Sequence, residues 1–214
     1  MNKLISDYIN KPVRSFMIHL SRATERKTLI NSLKTYIGEQ LEIVEAVDGT
    51  TLPTDFPMNC PYLKGSKRSH GDVGCTLSHV KIFEKMINEN IEYSLIYEDD
   101  CIFNEKERIN NFSLESLPKN FDCLLLGSLY YQESKSHSNN FITTTNFWGT
   151  HALVISLECA KKLLSFYHSE LKKGVVHPAD GHYSNASKEH SFVIFGVKDP
   201  KKYFDQNNGK SYIR

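Results

Sequence analysis

Short apolar runs alternate with longer stretches patterned at helical spacing, and that alternation confines this chain to α/β architectures. Ser15 to Leu20 (SFMIHL) reads as a buried strand. Ser21 can cap the next segment, in which Leu29, Ile30, Leu33 and Ile37 recur on one helical face and Gly38 ends the helix. Leu41 to Val47 (LEIVEAV) is a second strand, closed by Asp48-Gly49. Strand, helix, strand is a parallel crossover unit. The pattern then continues. Asp72 to Asn90 carries two apolar stripes, one through Val73, Leu77, Val80, Phe83 and Ile87, the other through Cys75, His79, Ile82 and Met86. A helix striped twice is buried widely. Ser94–Tyr97, Phe121–Leu126 and His151–Ile155 read as strands. Ser156 caps a helix that ends at Gly174, and Phe192–Val197 is the last strand. The segments 134–140 and 199–214 read as a polar loop and a polar tail, and the proline-rich stretch 50–69 as a long irregular loop. The expected fold is therefore α/β, a Rossmann-like, mostly parallel sheet flanked by helices.

Bulk properties narrow the function. A chain of 214 residues, 40% hydrophobic, can bury one sizeable core. A net charge of +1 lacks the basic excess of a nucleic-acid binder. Lysines from Lys161 onward make the last third mildly basic, which suits either a solvated surface or contact with phosphates. The five cysteines form no CxxC pair, arguing against a disulfide framework or a structural zinc site. Cys75, Cys101, Cys123 and Cys159 read as small core residues in a reducing compartment. Residues 1–13 are mixed and polar and lack a signal peptide's apolar centre. No apolar run is long enough to span a bilayer. The expected location is the cytoplasm, with any membrane contact peripheral at its inner face.

The chemistry centres on Glu98-Asp99-Asp100, which comes directly after the apolar run Ser94–Tyr97. Ligands of open parallel sheets bind beyond the strands' carboxyl ends. Clustered carboxylates repel unless a cation or proton lies between them. Residues two apart on an extended chain share a side, so Glu98 and Asp100 can face one ion while Asp99 turns to another partner. Hard oxygen ligands suit Mg²⁺ or Mn²⁺. Asp48-Gly49 ends a strand and fits either a turn or a nucleotide contact. Arg22 and Arg26 share a helix face and fit phosphates or solvent. His79, on an apolar stripe, fits a hydrogen-bonded core residue as well as a site residue. Asp180, after His177-Pro178-Ala179, is placed in a loop, where a carboxylate can act as a general base or simply cap a turn. Tyr130, Tyr131 and Trp148 suit either sugar stacking or the core.

Several segments, in order, resemble glycosyltransferase family 25. They are IHLSRATERK from Ile18, EAVDG from Glu45, GDVGCTLSHVKIFEKM from Gly71, SLIYEDD from Ser94, WGTHALVIS from Trp148 and CAKKLL from Cys159, with HPAD and the tail from Gln206 to Ser211-Tyr212-Ile213. The GCxLSH segment followed by the EDD strand end is the most specific part. The resemblance implies a GT-A fold in one catalytic domain over residues 1–214. Residues from about 14 to 127 would form the nucleotide-sugar half, and those from about 128 to 214 the acceptor half and tail. It implies inverting transfer of a hexose, most often galactose, from a UDP-sugar to a lipooligosaccharide or other glycan, giving a β linkage. Glu98 and Asp100 would match a DxD-type metal motif for Mn²⁺ or Mg²⁺. Leu20, Arg22, Arg26, Asp48, Gly49, Ser78, His79 and Asp99 would face the donor, Asp180 would be the base, and Tyr130 and Trp148 would face the acceptor. The chain departs from the family pattern in having Glu98 for the first Asp and Asp72-Val73-Gly74 before the Cys. A metal-dependent phosphohydrolase or nucleotidyltransferase, or a non-catalytic sugar-nucleotide binder, are the competing classes.

Overall fold

Strand β3 (Tyr93–Glu98) is buried along its whole length, with β1 (Val13–His19) on one side and β8 (Ala152–Ser156) on the other. In this computed structural model, residues 1–37, 40–54, 56, 68–104 and 112–206 are described. Gly38, Cys60, the prolines and glycine at 57, 61 and 65, and the tail beyond 206 lie outside them.

The remaining strands of the large sheet are β2 (Leu41–Glu45), β5 (Cys123–Gly127), β6 (Tyr130–Ser136), β7 (Phe141–Trp148) and β9 (Ile194–Val197). Their order is β2-β1-β3-β8-β5-β9-β7-β6. Following the pairings across, β2, β1, β3, β5, β9 and β6 run one way and β8 and β7 the other, so the sheet is largely parallel in direction.

Helices cover both faces. On one lie α1 (Asn2–Ile9) and α2 (Lys27–Ile37), whose Ile5, Ile30 and Leu33 pack with Met17, Leu95 and Tyr97. On the other lie α3 (Arg68–Asn88), α4 (Leu157–Lys172) and α5 (Ala179–Glu189), with Phe83, Leu163 and Tyr183 against Phe16, Ile18 and Ile96. The strand residues divide between the faces by alternation. Helix α3 is buried over most of both its stripes, with Cys75, Leu77 and Ile87 only partly so.

The chain leaves β1 through α2 on one face to reach β2, then returns through α3 on the other face to β3. The order 2-1-3 therefore reverses between β1 and β3, and this switch point is where open α/β sheets bind ligands.

One element is added to the expected fold and three expectations are corrected. The polar N-terminus folds as α1, because Ile5 and Ile9 reach the core. The expected loop 134–140 is shorter: β6 continues to Ser136 although it has little apolar character, and residues 137–140 form the turn of the β6–β7 hairpin. Asp180 stands in the first turn of α5, a helix whose small and polar residues concealed it. The expected tail begins as α6 (Pro200–Tyr203) and β10 (Phe204–Gln206). Strand β10 pairs antiparallel with β4 (Cys101–Phe103), just after the acidic triplet.

Candidate functional site at the β1/β3 switch point

A cleft opens beyond the carboxyl ends of β2, β1 and β3. Leu20, Arg26, Gly49, Cys75, Ser78, Glu98, Asp99 and Asp100 are among the residues that line it. Each is there for a local reason. β3 ends at Glu98, and the turn after it sends successive carboxylates in different directions.

Asp99 reaches across the switch point. Its Oδ2 lies 2.8 Å from His19 Nδ1 and accepts from the Leu20 N–H at 3.4 Å, tying the end of β1 to the end of β3. Glu98 is buried and turns inward. Thr150 donates to its Oε1, and His79 Nε2 lies 3.4 Å from the same oxygen. Burial pushes the Glu98 carboxyl upward, but the His79 and Thr150 contacts outweigh it and hold the group below its ordinary value. Asp100 is buried too, and it goes the other way. Its Oδ2 accepts from Gln206 Nε2 at 2.9 Å, while Oδ1 is buried with no hydrogen-bond partner. Burial, then the negative charge of Glu98, push Asp100 up to about 7, against the pull of Arg26. The two buried carboxyls are thus pushed in opposite directions, Glu98 toward the ionised form and Asp100 toward the protonated one.

The loop after β2 is pressed onto the start of α3. A side chain on Gly49 would put a Cβ 1.9 Å from the His70 carbonyl oxygen, and one on Gly74 would sit 2.6 Å from that of Val47. Only glycines permit this approach. Ser78 locks it, accepting from the Val47 N–H at 2.8 Å and donating to Gly74 O at 2.6 Å. Asp48 is engaged locally. Arg22 donates from Nε to Oδ2 at 2.6 Å, and the Thr50 N–H donates to Oδ1 at 2.9 Å. The Arg22 bond leads in holding Asp48 down to about 2. Arg22 and Asp48 thus pair with each other beside the cleft, while Arg26 is buried in its wall.

Asp180 is half-buried at the start of α5. Its carboxylate accepts from the Gly149 N–H at 3.3 Å and the Gly181 N–H at 2.7 Å. Burial raises its pKa despite those bonds, and the charge of Glu98 adds to the rise. Gly149 is the next residue after Trp148. Trp148 pairs across the hairpin with Tyr130, and their rings stack with centroids 5.7 Å apart, tilted by only 17°. Both are exposed, at 41% and 46%, so together they form an aromatic shelf at the end of the sheet. Tyr131 instead points inward, donating to Val197 O.

His19, Cys75, Thr150 and Gln206 also belong to this neighbourhood, and residue pattern alone does not mark them as site residues. The sequence places Cys75 in the core, but it is half-exposed and lines the cleft, because α3 turns that face toward β3. Burial and the surrounding carboxylates, Glu98 foremost, push its thiol well up. Its spacing of four from His79 is the signal that could have found it. Cys101, Cys123 and Cys159 are buried as expected.

Relationships to known proteins bear on this geometry. The family model for glycosyltransferase family 25 (LPS biosynthesis protein) matches residues 13–180, which include all of these acids. The chain belongs to glycosyltransferase family 25. This family 25 chain is 30% identical over 168 residues to a glycosyltransferase 25 family member of Drosophila melanogaster, covering 71% of this chain and 28% of that protein. It is 29% identical over 169 residues to human procollagen galactosyltransferase 2, covering 70% and 27%. It thus spans little more than a quarter of these curated relatives. Among solved structures it is similar to a Drosophila beta-1,4-galactosyltransferase 7 mutant in complex with manganese, UDP-Gal and xylobiose, with 10% identity and a TM-score of 0.45 over 94% of this chain and 72% of that one. Among the described residues of the family 25 chain, no helix is long and apolar enough to cross a membrane.

Proposed function

We propose that the chain transfers a hexose, galactose in the first instance, from a UDP-sugar to a glycan hydroxyl with inversion. The observation that carries this reading is the pair of buried carboxyls at the switch point of a family 25 sheet, Glu98 and Asp100, the second with one oxygen that has no hydrogen-bond partner. Such a pair fits a hard divalent cation, Mn²⁺ or Mg²⁺, because a cation would relieve the repulsion from Glu98 that helps to raise the Asp100 pKa. Bound there with the donor, the ion would neutralise the diphosphate of the departing UDP.

The chain's own groups supply the rest. Arg26 adds fixed positive charge to the cleft wall. Leu20, Gly49 and Asp99 line the space for the nucleoside, whose walls are set by the Gly49–Gly74 approach and the Ser78 clip. Arg22 and Asp48 act as a pair that shapes the rim, and His79 acts through Glu98. Asp180 takes the acceptor hydroxyl's proton: its raised pKa makes it a better base than an ordinary carboxylate. Tyr130 and Trp148 present flat apolar faces to the acceptor sugar. The acceptor class is a lipooligosaccharide or related glycan, met in the cytoplasm or at the inner membrane face.

The test is a screen of UDP-sugars with and without Mn²⁺, against lipooligosaccharide and simple glycosides, with linkage analysis of any product. Metal-dependent transfer from UDP-galactose with a β product is expected. Release of inorganic phosphate from simple esters without transfer would replace this reading with a phosphohydrolase. Binding of UDP-sugar with no turnover would replace it with a non-catalytic binder.

A further inference from the structure

Behind the acidic pair, three side chains of unlike chemistry converge on one point. Cys75 and His79 stand four residues apart on α3, hence on one face of the helix. Glu98 meets them from the end of β3. Their ligand-type atoms lie within 4.8 Å of one another, and this is the one such group among the described residues. Glu98 Oε1 is 3.4 Å from His79 Nε2 and 3.9 Å from Cys75 Sγ.

We infer that Cys75, His79 and Glu98 form a second, soft-metal site that takes a Zn²⁺-class ion, distinct from the hard-ion pairing of Glu98 with Asp100. Ligands around a tetrahedral zinc ion, at its usual bond lengths, stand about 3.3–3.8 Å apart. The observed separations need only small side-chain adjustments to reach that range. Thiolate, imidazole and carboxylate together favour zinc over magnesium or manganese, which prefer oxygen alone. The outer groups are also in place. His79 Nδ1 lies 3.2 Å from the Tyr183 hydroxyl oxygen, which can accept a hydrogen bond from an Nδ1–H and so leave Nε2 bare for the ion. Thr150 fixes the same Glu98 oxygen by donating to it. Cys75 and Glu98 both line the cleft, which gives an ion a path in. On binding, the Cys75 thiol gives its proton to solvent as the sulfur–metal bond forms. Glu98 cannot serve both sites fully, so a soft ion held here competes with the hard ion of the proposed transfer reaction.

The test uses Co²⁺ as a spectroscopic substitute for zinc and does not depend on any transfer activity. Metal-free protein given one equivalent of Co²⁺ should show intense four-coordinate visible bands and a thiolate-to-cobalt charge-transfer band in the near ultraviolet. Equal Zn²⁺ should abolish both. Cys75→Ser should remove the charge-transfer band, and His79→Asn should weaken binding at least about tenfold. A weak six-coordinate spectrum in the wild type, or a charge-transfer band that persists in Cys75→Ser, overturns the site. Should a variant misfold, the wild type decides alone. Alkylation of Cys75, read by peptide mass mapping, should slow at least about tenfold in Zn²⁺ and not in Mg²⁺. Equal rates in both also overturn it.

Discussion

Two strand-end acids, Asp48 after β2 and Asp100 after β3, lie in the same short stretch of sheet edge and have opposite circumstances. Asp48 is satisfied: Arg22 and the Thr50 N–H occupy its oxygens, and its pKa falls to about 2. Asp100 is buried beside another carboxylate with one oxygen unmatched, and its pKa climbs to about 7. The first acid has already found its partners within the chain. The second keeps one buried oxygen without a hydrogen-bond partner. Sequence proximity to a strand end does not separate these cases; hydrogen-bond satisfaction does.

The sharpest way to break the contrast is to remove each acid. Asp100→Ala should cut transfer from a UDP-sugar by at least about a thousandfold while circular dichroism and melting stay near wild type. Asp48→Ala should cost far less, and the reverse order would invert the assignment of the two acids. Asp180→Asn comes next: kcat should fall by about 10²–10⁴ while calorimetric UDP affinity is unchanged. Unchanged turnover would remove Asp180 as the base. Trp148→Ala should raise the acceptor KM by about tenfold or less and leave donor KM alone. A change confined to the donor would place the shelf on the wrong side of the reaction.

The smallest effects lie in stability against pH, and the two acids should move oppositely. In the unfolded chain both titrate near 4. Folded Asp100 keeps its proton up to about 7, so between those values the native state binds more protons and stability falls as pH rises. Asp100→Asn should flatten that fall in thermal melts. Folded Asp48 is depressed instead, so its contribution is present above about pH 4 and is lost as pH drops toward 2. Because the Arg22–Asp48 pair is largely exposed, Asp48→Asn should cost less than about 1 kcal/mol at pH 7 and nothing below pH 2. A larger loss would mean that the pair organises the loop after β2.

Much of this is legible from residue pattern. The runs at Ser15, Ser94 and His151 mark real strands because central strands must be apolar on both faces, and the run at Leu41 marks the edge strand β2, whose burial alternates. The α3 stripes foretell a helix buried widely, and EDD after SLIY locates the switch point. The features that the pattern hides depend on partners far along the chain. Strand β6 is polar, so its pairing with β7 carries no periodicity to read. Helix α5 begins with Ala-Asp-Gly, which local propensity assigns to a turn. Cys75 looks like core because its stripe is apolar, and only the packing of α3 against β3 turns it toward the cleft.

The Gln206–Asp100 hydrogen bond joins residues 106 positions apart. During synthesis the acidic triplet therefore leaves the ribosome well before the strand that completes its surroundings. At usual elongation rates the interval is about 5–20 s. Throughout it, a nascent chain can form β1, β2 and β3 but leaves Asp100 with neither its amide partner nor its cover from β10. Asp100 reaches its buried state late, so its repulsion with Glu98 takes full effect only once most of the sheet is there to bear it.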